Sequence, residues 1–147
     1  MNFLFGGTSI QSTAGNIGLA ILRIFSGAAM ALAHGIGKVP PAERMVTNLG
    51  NMGFPLPGVF AWAAGGAELL GGVFLAAGFM TRISAFFVSC TMLVAGFVAH
   101  AADPFGRKEK ALMYLCIGLL YMLIGAGRYS IDGLIKRQDE IVNGDSW

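Results

Sequence analysis

Four apolar stretches, separated by short polar segments, take up most of this chain: roughly Ile17–Gly37, Pro57–Met80, Ile83–Ala102 and Lys110–Gly127. Each approaches the ~20 residues a helix needs to cross the hydrocarbon core of a bilayer. The pattern predicts an all-α fold, an integral membrane four-helix bundle with both termini on the same side. An N-terminal tail (1–16) and a polar C-terminal tail (128–147) flank the transmembrane domain at 17–127. On the side of the termini (side A) a very short turn at Thr81–Arg82 makes the second and third helices an antiparallel hairpin. The opposite side (side B) carries the loop Lys38–Leu56 and the loop Asp103–Glu109. Pro40, Pro41, Pro55 and Pro57 exclude regular helix at the ends of the first of these loops. In the C-terminal tail, Ile131, Leu134, Ile135, Ile141 and Val142 fit a short amphipathic segment on the membrane surface, and a solvated tail fits equally well.

Composition points the same way. Of 147 residues 55% are hydrophobic and only 12% charged, against about 25% charged in soluble domains. The 22 glycines suit close helix approach in a membrane bundle. A net charge of +2, scattered along the chain, excludes nucleic acid as an expected partner. The first helix reads as an uncleaved signal anchor, because no basic residue precedes its apolar part. Side A holds Arg82, Arg128, Lys136 and Arg137, and side B holds Lys38, Arg44, Arg107, Lys108 and Lys110, so basic residues set no orientation. Cys90 and Cys116 fall at depths that differ by roughly 10 Å at 1.5 Å per residue, too far for a disulfide.

The polar residues inside the apolar stretches carry the candidate chemistry. Glu68 sits halfway along Pro57–Met80, where a carboxylate costs about 3 kcal/mol or more unless it is paired or lines a cavity. Arg23 and His34 emerge from one face of the first helix, beside the small residues Gly27, Ala31 and Gly35, while Ala64, Glu68 and Gly72 form a matching stripe on the second. This arrangement turns the charges into the bundle. Depth makes an Arg23–Glu68 ion pair the expected arrangement, either as a pin between two helices or as a polar feature of a substrate or quinone pocket. A snorkelling Arg23 with a separate Glu68 is the third reading. His34 and His100 end the first and third helices at a common depth near side B, with Lys38, Asp103 and Glu109 just beyond. Imidazoles beside a carboxylate and an ammonium suit proton exchange or hydrogen bonding to a quinone carbonyl. A polar cap is the plainer alternative for each histidine. Haem between the two histidines is disfavoured, because nothing else marks a slot for it. A metal on His34, His100 and Glu109 is equally weak, since such remote ligands have no diagnostic spacing, and no metal site is expected. Arg82 reads as an interfacial anchor near helix ends, and Arg128 and Asp132 stand four apart, placed to pair with each other.

Taken together these segments resemble the DoxX family of small membrane proteins. LRIFSGAAMALAHGIGKV is similar to the family's first helix, and GFPLPGVFAWAAGGAELLGGVFLAAGFMTR to its second block. His100 with Glu109 in EKALMYL matches the third and fourth helices, and GAGRYSID the closing motif, so the likeness covers roughly residues 17–133. It implies a four-helix membrane fold related to the membrane subunit of thiosulfate:quinone oxidoreductase (DoxD). It further implies a place in membrane oxidoreductase complexes linked to thiol and oxidative-stress defence, in a bacterial inner (plasma) membrane. Arg23, His34, Lys38, Glu68, Arg82, His100 and Glu109 match the family's polar positions.

The resulting expectation is a membrane subunit supporting quinone-linked redox chemistry. His34, Glu68, His100 and Glu109 would act in catalysis, while Arg23, His34, Lys38 and His100 would hold the cofactor. With no cysteine pair or dinucleotide fingerprint, any electron carrier is a quinone, a bound prosthetic group or a partner. A partner subunit or a homo-oligomer is expected within the lipid bilayer. Two other readings stay open: a non-catalytic scaffold or accessory subunit, and a small-solute transporter.

Overall fold

The structure is a computed structural model and describes residues 10–143. Among these, every regular element is a helix. Six helices are present where four were expected: α1 (Thr13–Ala29), α2 (Glu43–Asn51), α3 (Pro57–Ala77), α4 (Thr81–Val94), α5 (Phe105–Ile124) and α6 (Ile131–Asn143). The two additional helices, α2 and α6, lie in the long loop and the C-terminal tail.

Three helices are long and apolar enough to cross a membrane: Thr13–Lys38, Pro57–Ala77 and Thr81–Ala99. The protein is therefore an integral membrane protein, and apolar positions such as Phe25, Leu32, Trp62 and Phe86 lie exposed on these helices. α5 falls short of that test because Arg107, Lys108, Glu109 and Lys110 occupy its first two turns. The apolar remainder, Ala111–Ile124, spans only about 21 Å.

Local chemistry sets the helix ends. Ser12 caps α1 by accepting a hydrogen bond from Gly15 N at 3.2 Å. That helix starts four residues ahead of the expected span and continues as one rod through a π-helical segment, Met30–Gly35, and a 3-10 turn, Ile36–Lys38. Pro57 opens α3. α3 ends in a Schellman turn, with Gly78 N bonded to Leu75 O at 3.1 Å and Phe79 N to Phe74 O at 2.9 Å. The Phe74 and Phe79 rings close that turn at 5.4 Å. α4 also runs on through a π segment, Ala95–Ala99.

Glycine determines how closely α1 and α3 approach. A Cβ on Gly27 would come within 2.5 Å of Ala76 N, one on Gly35 within 2.5 Å of Leu69 Cα, and one on Gly72 within 2.8 Å of Ala31 N. Contacts that advance along α1 retreat along α3, so the pair is antiparallel and meets backbone to backbone. α4 and α5 are antiparallel by the same argument, with Gly118 against Ser89 and Ala85, and Gly96 against Leu112 and Ala111. Met30, Val88, Met92, Ala111 and Leu115 form one apolar core, and Leu75, Ala85 and Tyr121 the other.

Candidate functional site

The most buried carboxylate in a membrane-spanning segment is not paired as expected. Glu68, with a side chain only 3% exposed, holds Lys38 and not Arg23: Lys38 Nζ donates to both Glu68 oxygens at 2.6 Å. The 3-10 turn at the end of α1 lays the Lys38 backbone on α3. A Cβ on Gly65 would stand 2.6 Å from Lys38 O, so only glycine admits this approach. The ammonium then reaches back along α3 to the carboxylate one turn on.

Arg23 belongs to a second buried cluster around the end of α3. Its Nη2 donates to Tyr129 O at 2.8 Å, and the guanidinium lies against Gly78. Asp132 is buried in the same cluster and accepts from Met80 N at 2.8 Å and Thr81 N at 2.9 Å, capping α4 across 51 residues. This corrects the expected Arg128–Asp132 pair. Arg128 is exposed and contributes its backbone N–H, 3.0 Å from Asn16 Oδ1. Arg82 Nη2 donates to Leu123 O at 3.0 Å, a cation on the carbonyl end of α5. Asn16 and Tyr121, whose hydroxyl donates to Leu19 O at 2.6 Å, complete this layer. Neither stands out in the sequence, because a lone amide or phenol in an apolar stretch carries no spacing signal. Asp132→Asn keeps one carbonyl acceptor and loses the other. The expected cost is about 2 kcal/mol in denaturant unfolding of the detergent-solubilised protein, and a change below about 0.5 kcal/mol would contradict the capping role.

A cleft of about 600 Å³ opens between α2, α3 and α4, with Lys38 and Glu68 in its wall. Its lining is largely apolar, and Phe60 and Phe87 in it are exposed. His100 also lines the cleft, delivered there by the π segment of α4. π segments recur at functional sites because they displace the residue that follows. His100 Nδ1 lies 2.7 Å from Asp103 Oδ2. This hydrogen bond, aided by the charge of Arg107, holds the Asp103 carboxyl below the usual carboxylate range. Met45, Asn48 and Leu49 of α2 form the cleft's outer wall.

Of the expected site residues, the structure thus brings Lys38, Glu68 and His100 to one cleft. His34 is not among the lining residues. Its ring meets Tyr114 edge-on at 5.7 Å, between α1 and α5. Glu109 is exposed on the first turns of α5, and Arg23 lies in the other cluster. Both cysteines are free and exposed, and Cys90 lines the cleft. A quinone fits this donor set, since an apolar cleft with an ammonium and an imidazole in its wall matches an apolar ring bearing carbonyl acceptors.

Spanning helices around a polar-walled cleft define a small integral membrane protein. The chain belongs to the DoxX family: the family model described as DoxX matches residues 18–101. A second model, TQO small subunit DoxD, matches residues 62–146. A relative from Bacillus subtilis (strain 168), named "Putative oxidoreductase CatD", is 28% identical over 120 residues, covering 81% of this chain and 87% of its own. No solved structure matches.

Proposed function

We propose that this protein is a membrane subunit supporting quinone-linked redox chemistry, and that the quinone ring occupies the α2–α3–α4 cleft. The observation that carries the reading is the buried Lys38–Glu68 pair exposed along one edge to an apolar cleft that His100 also lines. Such a pair is costly in a membrane and is retained where it serves a site. The likeness to a quinone oxidoreductase's small subunit and to a named oxidoreductase supports the redox assignment.

Quinone, when bound, accepts two electrons and two protons to give quinol. The electrons come from a partner subunit in this reading, since the sequence carries no cysteine pair or dinucleotide fingerprint. Lys38 holds the ring by one oxygen, and His100, oriented by Asp103, exchanges protons near the mouth. His34 and Glu109 have no place in this headgroup site. α5 is the fourth span, with its charged first turns at the interface, which completes a four-helix bundle in a bacterial inner membrane and places both termini on one side.

Purification from native membranes in mild detergent, followed by organic extraction, tests the proposal. About one quinone per chain is expected. Quinone-dependent turnover of the native complex falls about a hundredfold in His100→Ala at unchanged yield. An empty protein that co-purifies with a partner, and a complex whose turnover ignores His100→Ala, would favour a non-catalytic accessory subunit instead.

A further inference from the structure

We infer that Lys38 is the residue that contacts the ligand oxygen in the cleft, and that Glu68 is a positioning residue that acts through it. The inference rests on the quinone reading above and assigns its contacts. An ammonium carries three N–H donors and no acceptor. The two-pronged contact with Glu68 Oε1 and Oε2 uses two of them. No protein acceptor takes the third among the described residues, and Lys38 lines the cleft with a side chain 36% exposed.

The two members of the pair differ in what they present. Both line the cleft, but the Glu68 side chain is 3% exposed with both oxygens engaged, whereas the ammonium forms the open edge. Gly65 fixes the Lys38 backbone and Glu68 fixes its tip, so the free N–H is held in one direction before a ligand arrives. Arg44 and Asn48 also bring donors to the lining, but from exposed positions on the α2 wall, where no ion pair among the described residues holds them in one direction. Thr91 spends its hydroxyl proton on Val88 O at 2.8 Å, and His100 engages Nδ1 with Asp103 at the mouth. The ligand class that matches is an apolar ring with a carbonyl acceptor directed at Lys38. A hydrocarbon tail then runs out past the exposed Phe60 and Phe87.

Isotope-edited infrared spectroscopy reads this contact. The probe is a short-tailed ubiquinone analogue labelled with 13C at one carbonyl in turn, bound to the full chain in lipid nanodiscs. One carbonyl stretch is expected at lower frequency than in detergent alone, because an ammonium N–H weakens the C=O bond. In Lys38→Met/Glu68→Gln that displaced band is lost and affinity falls about tenfold, the equivalent of one charge-assisted hydrogen bond. In Glu68→Gln alone the band persists but broadens, as befits a positioning role. A second readout needs no variant: 15N-lysine to 13C-carbonyl dipolar coupling in the wild-type protein, present if the contact exists. A displaced band that survives in the double variant, or absence of the coupling with quinone bound, overturns the inference and leaves the quinone reading intact. Failure of the wild-type protein to bind the analogue overturns both.

Discussion

Lys38→Met is expected to lower stability by about 3–5 kcal/mol, the range for stranding one partner of a buried ion pair. Glu68 makes its only two hydrogen bonds among the described residues to Lys38, and its side chain is 3% exposed. Methionine matches the lysine stem in length but leaves both oxygens without a donor, in a medium where water cannot replace it. Adding Glu68→Gln removes the stranded charge, so the double variant should recover to within about 1–2 kcal/mol of the wild type, since neutral replacements of a whole buried pair are well tolerated. Arg23→Met provides the contrast. Combined with Glu68→Gln it should be additive to about 0.5 kcal/mol, whereas Lys38→Met with Glu68→Gln should couple strongly. Denaturant unfolding in mixed micelles measures the three single variants and the two doubles. Strong coupling through Arg23 and none through Lys38 would refute the pairing.

That pairing also marks where the sequence stops being legible. The apolar helices, the small-residue stripes and the turning of charges toward those stripes all follow from spacing, and the structure has them. Glu68's partner depends instead on the register between α1 and α3. Gly27 meets Ala76, Ala31 meets Gly72, Gly35 meets Leu69, and Lys38 meets Gly65. Continued the other way, this register sends Arg23 to the end of α3 beside Gly78, well past Glu68. A depth counted inward from Ile17 sets Arg23 near Glu68, whereas the helix starts at Thr13 and its π segment and 3-10 turn carry the other end to Lys38 and onto α3. Neither irregularity has a signature in the residues MALAHGIGK. The same limit hid Asp132, whose acceptors serve an α4 terminus 51 residues away. It also split the two histidines: spacing pairs them at one expected depth, but His34 turns to Tyr114 while His100 turns to the cleft, and the azimuth of a side chain at a helix end is set by tertiary packing. α2 went unread as a helix for a simpler reason. It is short, polar on one face and bounded by proline and glycine, so composition describes it as a loop. The apolar spacing of α6, by contrast, leaves an amphipathic segment and a solvated tail equally open.

The register that separates Arg23 from Glu68 makes Gly78 a sensitive glycine. Gly78→Ala is expected to cost about 3–4 kcal/mol, from two terms that act together. Gly78 adopts φ 70°, in the left-handed region, where a Cβ alone costs roughly 1–2 kcal/mol. The Cβ would also overlap Arg23 Nη1 and stand 2.6 Å from Ser130 Cβ. Arg23 cannot yield, being 1% exposed and tied to Tyr129 O, and Gly78 cannot retreat, because its carbonyl accepts from Asp132 N at 2.9 Å. Forced overlap in a packed interior adds about 1–3 kcal/mol. Gly53 isolates the first term: its φ is 83° but nothing lies within 4 Å of its would-be Cβ, so Gly53→Ala should cost only about 1–2 kcal/mol. Most of the second term is Arg23's to relieve, and the rest is Ser130's. Shortening it to alanine in the Gly78→Ala background should therefore destabilise less than the two single changes added together, by more than the 0.5 kcal/mol that independent sites show. Unfolding midpoints in mild detergent give all of these values, and a Gly78→Ala protein no weaker than Gly53→Ala would mean that Arg23 does not seal the α3–α4 turn.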